Sequence, residues 1–131
     1  MEIILHIDEK KLDKNYESAL NEYFKRTLSF ANIKKKLYND IAKLSLQKKS
    51  YVFFINYGSD SCTSKELAKK ISDISISGYS CIEFIISDNP LPDCKPFTLS
   101  SMRLGNDIAA VCIAEQIYRA YTIINNISYH K

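Results

Sequence analysis

Residues 51–86 read YVFFINYGSDSCTSKELAKKISDISISGYSCIEFII. Tyr51–Tyr57 is a continuous apolar run of strand length, and Cys81–Ile86 is a second. Runs without polar alternation suit strands covered on both faces, as in a parallel sheet. Between them, Gly58-Ser59-Asp60-Ser61 is turn material. Thr63-Ser64-Lys65-Glu66 has the Thr-x-x-Glu spacing of a capping box. Leu67, Ala68, Ile71 and Ile74 then recur at helical spacing until Gly78 breaks the chain. Strand, helix and strand in that order form the crossover unit of a parallel sheet.

Working outward, Glu2–Ile7 is a short apolar strand. Asp13–Leu28 carries Tyr16, Ala19, Leu20, Tyr23 and Phe24 at helical spacing, with Asp13 placed to cap it. Phe30–Lys34 reads as a short, poor strand, and Lys35–Gln47 as a helix through Leu37, Tyr38, Ile41 and Leu44. Asp88–Pro96 holds all three prolines and reads as loop. Asn106 or Asp107 is placed to cap a final helix running to about Ile124. The chain thus reads as a single α/β domain over residues 1–131, a parallel sheet with helices on both faces. Ligands of such sheets bind at the carboxyl ends of the strands. This directs attention to Asn56–Ser59, Ser87–Asn89 and Thr98–Gly105.

Composition narrows the class. An apolar fraction of 46% and a charged fraction of 25% are ordinary for a soluble globular domain. No apolar run approaches the roughly 18 residues of a membrane span. The start, Met1-Glu2-Ile3-Ile4, lacks a basic n-region and reads as a first strand rather than a signal peptide. Cys62, Cys81, Cys94 and Cys112 form no Cys-x-x-Cys pair, so reduced, partly buried thiols are expected rather than a disulfide or metal site. The net charge of +3 is compatible with a nucleic-acid partner. Lys34, Lys35, Lys36, Lys43, Lys48 and Lys49 crowd a segment whose only acid is Asp40. Such a run reads either as a solvated face or as a polyanion contact.

Chemistry concentrates in the last third. Glu115 and Arg119 stand four apart with the acid N-terminal, the favourable order for a helical ion pair. The helix is apolar around much of its girth, so that pair is expected to be largely buried or interfacial. Tyr118, Arg119 and Tyr121 combine rings and a guanidinium suited to stacking on a base or packing on another subunit. Leu99-Ser100-Ser101-Met102-Arg103-Leu104 places leucines outside hydroxyls. Such a loop can sandwich an adenine, or simply precede a helix.

These residues resemble the rRNA large-subunit methyltransferase H (RlmH) family of SPOUT methyltransferases. The shared signature is Leu99-Ser100, Glu115-Gln116-Ile117-Tyr118-Arg119-Ala120 and the closing Tyr129-His130-Lys131. Glu22-Tyr23 with Arg26, and Ser64-Lys65-Glu66-Leu67-Ala68, agree more weakly. The resemblance implies a C-terminal trefoil knot, a cytoplasmic homodimer and S-adenosylmethionine as methyl donor. It implies methyl transfer to a pseudouridine of large-subunit (23S) rRNA on the ribosome, with no metal and no membrane. By position, it assigns Ile55, Asp88, Leu99, Ser100, Ser101, Met102, Arg103 and Leu104 to the cofactor. Arg119, Tyr129 and His130 are assigned to catalysis.

The chain also departs from that pattern. Ser87-Asp88 stands where the family has Gly-Gly, Asn106 where it has His, and Ala110 where it has Arg. Ser128 replaces a proline and Asn56 an aspartate. Glycines allow close backbone approach to a ligand. Two readings follow: an active methyltransferase, or a SPOUT-fold homodimer without catalysis that serves as an RNA-binding or assembly module.

Overall fold

The computed structural model describes residues 1–89 and 94–129. Strands β1 (Glu2–Ile7), β2 (Asn32–Leu37), β3 (Ser50–Tyr57), β4 (Cys81–Ile86) and β5 (Lys95–Ser100) form one sheet. Helices α1 (Lys14–Thr27), α2 (Ser64–Ile76) and α3 (Asn106–Ile124) complete it. The strand order is β2-β1-β4-β3-β5, and every pairing is parallel. The uninterrupted apolar runs therefore lie at the centre, where β4 is buried along its whole length.

Register shows which side chains face which layer. Ile3 pairs with Ile33 and Ile82, Leu5 and Phe53 with Phe84, and Ile55 with Phe97. These residues form one core with Leu20 of α1, Leu67 and Ile71 of α2, and Ala109, Ile113 and Ile117 of α3. α3 lies between α1 and α2 and touches both. Its alanines at 109, 110, 114 and 120 are fully buried, which lets it settle closely. Ile113 and Ile117 add about 1.5–3 kcal/mol each.

All three helices thus cover one face, and the expectation of helices on both faces does not hold. The other face, bearing Ile4, His6, Glu83 and Ile85, is buried under the connection between β2 and β3. That connection is where a second helix over Lys35–Gln47 was expected. Instead β2 extends to Leu37, because its backbone groups pair with β1. One 3-10 turn, Ile41–Lys43, follows, capped by Asp40. Burial of Ile33, Leu37 and Ile41 needs no helix here, and their spacing was ambiguous between periods.

The proline-rich stretch also differs. Pro96 lies within β5 rather than in loop. β5 is the sheet's edge, where a residue without an N–H is tolerated. The helix expectations for α1, α2 and α3 hold. Asp13 accepts from the Asn15 amide, and Thr63 and Glu66 close the capping box. At α3 the cap position is Gly105, with no side-chain capping bond. Asn106 reaches away to β1, and Asp107 accepts from the adjacent Ile108 amide.

Candidate active site

After β5 the chain turns back across the carboxyl edge of the sheet. Tyr57, ending β3, donates its hydroxyl to the Leu104 carbonyl at 3.3 Å, and Arg103 lies 5.4 Å over its ring. Arg103 also pairs with Asp88, just beyond β4. Asn106 Nδ2 then donates to the Asp8 carbonyl at 3.2 Å and to Glu9 at 3.1 Å, beyond β1. The loop therefore passes from the sheet's edge over β3 and β4 to β1, and it delivers α3 to the middle of the helical layer.

On the helical side of this loop opens a cleft of about 620 Å³. Phe97, Leu99, Leu104 and Val111 form its apolar walls. Thr63 and Ser64 come from the start of α2, Tyr23 from α1, and Cys112, Glu115 and Gln116 from α3. The size is that of a small-molecule site. Cys62 and Cys112 stand in it as thiols, because burial pushes both up. They are therefore neither nucleophiles nor ready metal ligands at neutral pH. Among the described residues no group of His, Cys, Asp and Glu could hold a metal ion.

A polar chain leads out of this cleft. The Ser64 hydroxyl meets Gln116 Oε1 at 2.6 Å, and Gln116 Nε2 donates to Glu115 Oε1 at 2.9 Å. Glu115 Oε2 takes both Arg119 Nε, at 3.0 Å, and an Arg119 terminal nitrogen, at 2.9 Å. Both side chains are largely covered, at 22% and 17% exposure, as the apolar helix led one to expect. Arg119 in turn lies 5.2 Å over the Tyr129 ring. Together they border a second, smaller cleft of about 170 Å³ with Ser64, Lys65 and Thr122.

Tyr129 packs edge-on against Tyr118 at 4.9 Å, and Tyr118 neighbours Tyr23 at 6.5 Å. Arg26 lies over Tyr23 at 5.6 Å and over Tyr118 at 5.9 Å. Burial, then the neighbouring Tyr23 hydroxyl and Glu115 carboxylate, pushes Tyr129 up to about 12. It is a protonated donor at neutral pH, not a base. The result is a platform of three tyrosines and two guanidiniums.

The sequence-assigned residues separate into groups. Leu99, Ser100 and Leu104 line the larger cleft. Ser101, Met102 and Arg103 stand exposed on the loop. Ile55 is buried in the core, paired with Phe97 beneath the cleft. Asp88 is exposed and engaged by Arg103. Arg119 and Tyr129 come together, and His130 lies outside the described residues. Tyr121 does not join the platform: three residues on from Tyr118, it is buried and stacked on Phe30 at 5.7 Å. Tyr23, Arg26, Ser64 and Gln116 were not assigned by position. The Glu22-Tyr23 with Arg26 and Ser64-Lys65-Glu66 matches were the signals that pointed to them.

The fold and cleft define a parallel α/β protein in which α3 supplies one wall of a cleft at the sheet's carboxyl edge. A family model described as a predicted SPOUT methyltransferase matches residues 1–130, and the chain belongs to that family. It is similar to ribosomal RNA large subunit methyltransferase H 1 of Thermoanaerobacter sp. (strain X514), 35% identical over 123 residues and 92% of each chain. It is also similar to ribosomal RNA large subunit methyltransferase H of Ruminiclostridium cellulolyticum, 34% identical over 121 residues, 85% of this chain and 76% of the relative. The enzyme of that name from Halothermothrix orenii is 28% identical over 135 residues, 98% of this chain and 79% of the relative.

Proposed function

We propose that this protein transfers a methyl group from S-adenosylmethionine to a pseudouridine of large-subunit (23S) rRNA. The observation that carries this is the continuous polar chain from the larger cleft, through Gln116 and Glu115, to Arg119 and the tyrosine platform. It links a site suited to a nucleoside with a site suited to a base. The relatives described above are by name methyltransferases of large-subunit ribosomal RNA, which supports the reading.

The donor set fits the cofactor. Leu99 and Leu104 offer apolar walls for an adenine, while Ser64, Glu115 and Gln116 offer partners for ribose hydroxyls or an amine. Bound there, the cofactor supplies an electrophilic methyl group on sulfur. The protein's share is orientation and charge. Tyr23, Tyr118 and Tyr129 present ring faces and edges for a splayed base. The target nitrogen gives its imide proton to solvent water, and the Arg119 guanidinium stabilises the anionic base that results. Glu115 holds that guanidinium in place, and protonated Tyr129 donates a hydrogen bond. His130 belongs to the same tail. We place the reaction in the cytoplasm, on a homodimer formed through the exposed side of α3, where Ile108 and Ile123 face outward. The C-terminal segment forms, on this reading, the trefoil knot that the resemblance implies.

A second reading has its own support. Ser87 and Asp88 are occupied by bonds to Asp8 and Arg103 at the place of the family's glycine pair. On that reading the fold and the platform persist as an RNA-binding module. Calorimetric titration with S-adenosylmethionine and S-adenosylhomocysteine, followed by tritium transfer to ribosomes, separates the two. Micromolar binding with transfer is expected. No heat at millimolar cofactor leaves the non-catalytic reading, and light scattering that finds a monomer removes the dimer from both.

A further inference from the structure

We propose that the β2–β3 connection, which covers the face of the sheet opposite the helices and runs on to the sheet's amino edge, forms with β2 a second RNA-docking surface, on which Lys36, Lys43, Lys48 and Lys49 grip the sugar-phosphate backbone. It rests on the rRNA reading and adds a contact remote from the cleft.

Register sets the lysines of β2. Lys34 pairs with Ile4 and Lys36 with His6, so both project from the face that the helices leave uncovered. Over that face lies the connection of residues 38–49, and buried polar groups tie it down at several points. His6 and Glu83, both fully buried, meet at 2.7 Å. The Tyr38 hydroxyl lies 2.6 Å from His6 Nδ1. Gln47 donates its amide to Glu83 Oε2 at 2.9 Å and its side chain to Glu2 at 2.7 Å. Lys49 takes a positive φ of 55° and accepts from the Ser80 amide. Lys43 and Lys48 are therefore displayed on an anchored segment and not on a free loop, and Lys49 stands at its rim, bordering a hollow with Ser77, Gly78 and Tyr79 at the amino edge of the sheet.

The charges on this segment are unbalanced. Lys34 is held by Glu2 at 3.4 Å and Lys35 by Asn21 at 3.5 Å. Among the described residues, Lys36, Lys43, Lys48 and Lys49 make no ion pair, and Asp40 is spent capping the 3-10 turn. Clustered like charges destabilise a fold unless a polyanion relieves them. Lysines on an edge strand also discourage strand pairing. That accounts for β2 but not for positions 43, 48 and 49. A membrane surface fits less well, since Leu46 is the one large apolar side chain exposed on this segment.

The test replaces Lys36, Lys43, Lys48 and Lys49 together by Ser and measures binding to purified ribosomes across a salt series. A second variant, with exposed Lys10, Lys14, Lys69 and Lys70 changed to Ser, loses the same charge from the helical side. The first variant is expected to bind at least tenfold more weakly at physiological salt. Its slope of log affinity against log salt should fall by about 3, roughly 0.7 for each lost contact. Cofactor heat and kcat should be unchanged, with the loss in KM. Equal weakening in both variants overturns the proposal, as does unchanged affinity in the first. So does wild-type binding to anionic vesicles that competes away the ribosome. If wild type binds ribosomes through these lysines without methylating them, the methyltransferase reading falls and this surface stands.

Discussion

The Ser87 hydroxyl donates to Asp8 Oδ2 at 2.7 Å, tying the carboxyl end of β4 to that of β1. The same oxygen accepts from the Asn89 amide at 3.1 Å. Ser87 is buried, and Asp8 continues β1 by donating its amide to the Ile86 carbonyl at 2.9 Å. A side chain at the place of the family's first glycine is thus a structural tie between adjacent strands. Ser87→Ala removes one charge-assisted bond and should lower unfolding free energy by about 1–2 kcal/mol in urea titration. The double variant Ser87→Gly with Asp88→Gly also frees Arg103 and opens the loop. Calorimetry should show S-adenosylmethionine binding tighter than in the wild type. Unchanged affinity would mean these side chains do not obstruct the cofactor.

Leu99 and Leu104 both line the larger cleft, and both are only partly buried. Truncating Leu99 to Ala removes apolar contact worth about 1–2 kcal/mol, or roughly tenfold in cofactor affinity. The melting temperature should move little. A variant that binds the cofactor as wild type does would remove this cleft from the cofactor site.

Glu115 accepts two nitrogens of Arg119 on one oxygen. Arg119→Lys keeps the charge but cannot make that fork. Methyl transfer should fall at least tenfold, about 1.4 kcal/mol in the barrier, with cofactor binding preserved. Glu115→Gln should act in the same direction through a misplaced guanidinium. Full activity in Arg119→Lys would confine the pair to helix stability.

Burial holds the His6 imidazole below its usual value of 6.5, against the opposing pull of Glu83. A histidine depressed in the fold takes up fewer protons there than in the unfolded chain. Its stability contribution is present above pH 6.5 and is lost as the pH falls below it. Unfolding free energy should therefore decline from about pH 6.5 towards 5.5, before most carboxylates titrate. The double variant His6→Gln with Glu83→Gln should flatten that slope. A slope that survives in the double variant would assign it elsewhere.

Tyr121 and Tyr129 are both pushed up to about 12, Tyr121 by burial alone. Groups raised in this way support the fold below pH 10 and lose that support as the pH rises through 12. Stability should drop between pH 10 and 12, and spectrophotometric titration should find Tyr121 and Tyr129 among the late-ionising tyrosines, beside Tyr38 and Tyr57, which burial also raises. Tyr129→Phe should remove one of them.

The linear order of residues by itself determined that the sheet is parallel and that α1, α2 and α3 serve it. The apolar run at Cys81–Ile86 is buried along its whole length, that at Tyr51–Tyr57 only at Phe53 and Ile55 because its other face is partly open, and capping residues mark α1 and α2 locally. It also singled out Leu99, Leu104, Glu115, Arg119 and Tyr129, which the fold brings to the walls of the two clefts. Only the tertiary structure decided which layer each element joins. Lys35–Gln47 had helical spacing, yet the partner strand β1 claimed its first residues as an edge strand. Pro96 looked like loop until an edge position made its missing N–H harmless. His6 and Glu83 are 77 positions apart, and Ser87 and Asp8 are 79 apart. No local periodicity carries such pairs, because strand order, not sequence distance, brings them within bonding reach. The same holds for the site. Tyr23 and Ser64 join Arg119 and Gln116 only because α3 packs between α1 and α2, a choice made by burial of its alanine face.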